Sequence, residues 1–114
     1  HPNYTDRHEL NNAPYVNQGV VVKNNVSQRY ATSPRSVVPI VHAAVTAGLN
    51  LQTFSSRNNI ACGSTIGPIT ATRLGIETVD IGVPQLSMHS IREMCGTKDP
   101  VDLVALLGAY FSRS

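Results

Sequence analysis

The chain has 114 residues, 41% of them apolar, and its nine Lys and Arg against seven Asp and Glu leave a formal charge of +2. That is enough apolar material for one modest core and not for two, so the chain is one domain or part of one. Its basic residues form no stripe able to neutralise a row of phosphates, which argues against nucleic acid as a partner, and its apolar runs fall well short of the roughly 20 residues that span a bilayer, which argues against a membrane.

Residues 1–18 are polar and turn-rich, with Pro2, Asn3, Asn11, Asn12, Pro14 and Asn17, and they read as a long loop of the kind that often carries function. The chain opens on His1-Pro2-Asn3-Tyr4 with no initiator Met, basic leader or signal-like apolar segment. That beginning suggests a fragment, a processed chain or one piece of a split protein. Gly19 then opens the branched run Val20-Val21-Val22-Lys23, which predicts a strand. Ser33 followed by Pro34 is a helix-start signal, and Val37, Val38, Val41, Ala44 and Val45 recur at helical spacing until Gly48, predicting a helix of about four turns.

Leu51 to Phe54 predicts a second short strand, and the polar Arg57-Asn58-Asn59 follows. The glycine-rich turn Cys62-Gly63-Ser64-Thr65-Ile66-Gly67-Pro68 leads into a small helix that stops at Gly75. Glu77 to Gly82 reads as a third strand, Ser90 and Glu93 have capping-box spacing for a helix, and Asp99-Pro100 starts a last helix through Val104, Leu107 and Phe111. Strands alternating with helices predict an α/β sheet covered on both faces. Two cysteines, Cys62 and Cys95, form neither a CxxC knuckle nor a disulfide framework, and they suggest a reduced, cytoplasmic setting.

Functional groups in α/β sheets gather beyond the carboxyl ends of strands. His89 is so placed, after the third strand and the loop from Val83 to Met88. A cap at Ser90 and Glu93 would restrict its imidazole, as a metal ligand requires; by itself, a lone loop histidine is more often a structural hydrogen-bonding group. His8-Glu9 begins like HExxH, but Asn12 stands where the second histidine belongs. The Gly63 to Gly67 turn is neither GxSxG nor a phosphate-binding loop, although its free amides can bind a carboxylate or an oxyanion. His42 reads as a surface or interface group, and Asp6, His8 and Glu9 as solvated loop groups.

Four motifs in order, namely His1-Pro2-Asn3-Tyr4, Gln28-Arg29-Tyr30-Ala31-Thr32, Cys62 to Ile69 and Asp80 to Glu93 with its Met88-His89-Ser90-Ile91-Arg92-Glu93 segment, together resemble the C-terminal part of the aspartyl aminopeptidases. The resemblance implies that residues 1–114 are the C-terminal portion of a three-layer α/β/α zinc-peptidase catalytic domain. It implies a hydrolase with two Zn²⁺ per active site, which releases N-terminal Asp or Glu from peptides and assembles as a homo-oligomer, usually a dodecamer. His89 corresponds to the family's last zinc ligand, and Lys23 and Tyr30 to substrate-contacting residues. Without the resemblance, Lys23 reads as a solvated cation and Tyr30 as a half-buried anchor. His1 lines the cleft or a subunit contact, and Arg92 and Glu93 organise the surroundings of His89. The family's other ligands lie upstream of HPNY, so activity requires the upstream part of the same catalytic domain. The alternative is a catalytically inactive fragment that serves as an assembly or binding module.

Overall fold

The computed structural model describes residues 12–24, 31–55 and 66–113. Strand β1 (Val20–Asn24) lies at the centre of a three-stranded sheet, with β2 (Leu51–Ser55) parallel on one side and the two-residue β3 (Ile81–Gly82) antiparallel on the other. Helix α1 (Pro34–Ala47) forms the crossover between the two parallel strands, a connection that parallel pairing demands. Alternation along β1 decides the rest. Val20 and Val22 face a core made with Ile40, Ala43 and Ala44 of α1 and with Leu106 of α3 (Asp99–Phe111). Their neighbours Val21 and Lys23 therefore point to the opposite face, together with Gln52, Phe54 and Gly82.

Helix α1 begins as its sequence predicts. Ser36 N–H donates to Ser33 Oγ at 3.1 Å and Ser33 N–H donates to Ser36 Oγ at 2.9 Å, so a serine performs the reciprocal half of the cap usually given to Glu or Gln. Gly48 ends the helix with φ +65°, a left-handed conformation that a side chain would oppose. The buried face runs through Ser36, Ile40, Ala43 and Ala44, while Val38, Val41 and Val45 are exposed. Along α3 the fully buried apolar residue is Leu106, whereas Val104 and Phe111 are exposed. The helices stand where expected, but the valines at helical spacing do not mark the face each helix buries.

Two further expectations are corrected. Glu77 to Asp80 lie outside the strand, and only Ile81 and Gly82 join the ladder, opposite Val22 and Val21. No helix starts at Ser90. Residues 87–93 instead form the turn of a hairpin between β4 (Gln85–Leu86) and β5 (Met94–Cys95), a separate two-stranded sheet. Among the described residues, α1 and α3 pack against one another and supply the core on the Val20 and Val22 face. The small helix α2 (Gly67–Leu74) contributes only Gly67 to the buried residues. The loop expected before β1 is present from residue 12, and the Gln52 amide pins it there, bonding the Tyr15 N–H at 2.8 Å and the Tyr15 and Gly19 carbonyls at 2.9 Å each.

Candidate functional site

Lys23 is the fourth residue of β1. Its main-chain N–H donates to the carbonyl of Asp80 at 2.9 Å, which extends the β1–β3 contact one residue beyond the ladder. Its side chain is half-buried and lies over Gly82, where an added methyl would stand 3.4 Å from Cε and 3.7 Å from Nζ. The absent side chain at position 82 thus leaves a track for the lysine stem. Tyr30 lies outside the described residues, as do His1, Asp6, His8, Glu9 and residues 62–65 of the glycine-rich turn. The first described residue after Tyr30 is Ala31.

Asp80 holds that region together, and sequence reasoning passed over it. Ala31 N–H donates to Asp80 Oδ2 at 2.7 Å, and Asp80 N–H donates to Thr32 Oγ1 at 2.9 Å. The carboxylate also lies against Gly67 at the start of α2, so closely that a Cβ at position 67 would come within 2.7 Å of Oδ2 and 2.9 Å of Oδ1. These partners are 49 and 48 residues away along the chain for the two hydrogen bonds. No local spacing rule could have revealed them.

His89 is exposed at the tip of the β4–β5 hairpin, with φ +68°, and Ser87 two places earlier has φ +54°. Left-handed backbone costs roughly 1–2 kcal/mol for a residue with a Cβ, so local bonds must hold it. Ser90 N–H donates to Ser87 O at 3.1 Å, Arg92 N–H donates to Ser90 Oγ at 3.0 Å, and the Glu93 carboxylate accepts the main-chain N–H of His89. Ser90 and Glu93 thus bond within the turn and not as the two halves of a helix cap. The Glu93 bond holds the main chain of His89 and leaves its imidazole exposed. His42 is exposed on α1, as expected of a surface group.

An exposed imidazole is a suitable zinc donor, but a zinc site needs three or four protein ligands. Among the described residues, no three His, Cys, Asp or Glu side chains are grouped so as to hold a metal. His89 fits as a single donor, and any remaining donors must come from outside these residues. Cys95, on β5, is an exposed free thiol.

The sequence profile of the family described as Aminopeptidase I zinc metalloprotease (M18) matches residues 1–111, and the chain belongs to that family. The chain is 49% identical over 114 residues to the probable M18 family aminopeptidase 2 of Stutzerimonas stutzeri (strain A1501), covering 100% of this chain and 27% of that protein. Among solved structures it is similar to a chain in the cryo-EM structure of the Ape4 and Nbr1 complex, with TM-score 0.94 and 47% identity over 97% of this chain and 21% of that one. It is also similar to the S. cerevisiae mApe1 dodecamer, with TM-score 0.85 and 30% identity over 99% of this chain and 24% of that one. The α/β fold is therefore that of the M18 aminopeptidases, and the chain spans 27% of the length of the curated relative.

Proposed function

We propose that this chain is the C-terminal portion of the catalytic domain of a cytoplasmic zinc metallo-aminopeptidase that releases N-terminal Asp or Glu from peptides. His89 supplies one metal ligand, and Lys23 and Tyr30 contribute to the substrate pocket. The observation that carries this reading is the His89 turn. A histidine in a left-handed conformation, with its main-chain N–H held by Glu93 and its imidazole exposed, is the kind of locally strained residue that clusters at functional sites. Membership of a zinc metalloprotease family makes metal binding the chemistry to test there.

A zinc pair, when bound, acidifies a water molecule and polarises the first peptide carbonyl. This chain's own residues do the remaining work. His89 offers an imidazole nitrogen from a turn whose local bonds fix its main chain. The Lys23 ammonium pairs with an acidic first side chain and so favours it over an apolar one. The Tyr30 hydroxyl donates a hydrogen bond to a substrate oxygen. The other ligands and the general base come from the upstream part of the domain. The dodecameric form of the yeast relative supports a homo-oligomeric assembly.

In the complete enzyme, His89→Ala is expected to lower both zinc content and peptidase activity, the latter by more than about a hundredfold. Full zinc content in that variant rejects the ligand role. Lys23→Ala is expected to lower kcat/KM on Asp- and Glu-initiated peptides by about tenfold to a hundredfold, with little change on Ala-initiated ones. Equal loss on both substrate classes rejects the specificity role. If the purified protein has neither an upstream part nor bound zinc, the inactive assembly module becomes the better reading.

A further inference from the structure

We infer that Asp80 is a positioning residue of the substrate pocket, fixing Lys23 and the segment that follows Tyr30 relative to each other; this rests on the reading of those two residues given above. Three otherwise separate stretches of chain meet at this aspartate. Its carbonyl accepts the N–H of Lys23, its carboxylate accepts the N–H of Ala31, and its own N–H donates to Thr32 Oγ1, at 2.9, 2.7 and 2.9 Å. Lys23 is the penultimate residue of β1, whereas Ala31 is the residue bonded directly to Tyr30 in the chain. Lys23 and Ala31 are thus held from one short segment, the first through its main chain and the second through its carboxylate.

The third stretch is the start of α2. Gly67 lets the carboxylate approach to a distance that any Cβ would forbid, and negative charge is favourable beside a helix N-terminus. Asp80 is half-buried, in a setting where a carboxylate bonded to a main-chain amide is a stronger tether than a neutral acceptor. Among the described residues its hydrogen bonds go to Lys23, Ala31 and Thr32 and none to the His89 turn or the β4–β5 hairpin. A change at Asp80 should accordingly disturb substrate binding and spare the metal ligand.

The test uses the complete enzyme with Asp- and Ala-initiated substrates, zinc analysis and native mass. Asp80→Ala is expected to raise KM for the acidic substrate by about tenfold or more, because small misplacements of binding groups have effects of this order. Zinc content and assembled mass should stay at wild-type levels. Asp80→Asn keeps an acceptor oxygen for the Ala31 amide and should recover most of the loss. Thr32→Val removes the other hydrogen bond at nearly constant volume and should raise KM in the same direction. Wild-type KM in Thr32→Val and Asp80→Asn together with wild-type KM in Asp80→Ala overturns the inference, as does an Asp80→Ala defect confined to kcat or accompanied by zinc loss. Should Asp80→Ala fail to fold, Thr32→Val decides alone, and a wild-type KM there overturns it. Lys23→Ala in the same assay separates the two levels. A selective Lys23 effect beside silent Asp80 and Thr32 variants defeats only this inference, whereas a non-selective Lys23 effect defeats the pocket reading and this inference with it.

Discussion

Asp99 is fully buried, an expensive place for a carboxylate unless its oxygens are bonded. Asn17 N–H reaches both oxygens at 3.0 Å, Gly96 N–H donates to Oδ2 at 3.0 Å, and Asn17 Oδ1 in turn accepts the N–H of Lys98 at 2.9 Å. The side chain thereby ties the loop before β1 to the start of α3 and leaves none of these amides unsatisfied. Replacing it with Ala strands two buried or part-buried donors, so Asp99→Ala is expected to destabilise the fold by about 3 kcal/mol. The check is the denaturant midpoint, together with faster hydrogen exchange at the Asn17 and Gly96 amides. The pair Asp99-Pro100 was legible in the sequence as a helix start. Its reach to Asn17, 82 residues earlier, was not, since nothing in either segment names the other.

At the scale of elements, starts and stops were easier to read than faces. The cap at Ser33, the Pro at the first turn and the Gly stop predicted α1 to within a residue, because each is a local requirement of unsatisfied backbone groups. Ser33→Ala removes the acceptor for the Ser36 amide, and the expected cost is about 1 kcal/mol of stability, read as a lowered unfolding midpoint. Which side of α1 is buried depends instead on what packs against it. Valines 38, 41 and 45 lie away from Leu106 and β1 and remain exposed. The Ser90 and Glu93 spacing failed for a related reason. A box pattern says which groups can bond, but pairing of Gln85 with Cys95 and Leu86 with Met94 makes residues 87–93 the turn of a hairpin and not a helix.

For the molecule as a whole, the family and the fold were legible because four motifs occur together, whereas no single one was decisive. The complete site was not legible, since residues 12–24, 31–55 and 66–113 contain no cluster of three His, Cys, Asp or Glu side chains able to hold a metal. Large apolar side chains such as Ile66, Val45, Val104 and Ile91 remain in water, and on the proposed reading the rest of the enzyme covers part of that surface. Lys23 and His89 belong to different hydrogen-bonded ladders, the first within the three-stranded sheet and the second on the turn of the hairpin. If the proposed roles hold, a descendant of this sequence can change which terminal residue it prefers by drifting on one ladder, without having to reinvent the grip on its metal that resides on the other.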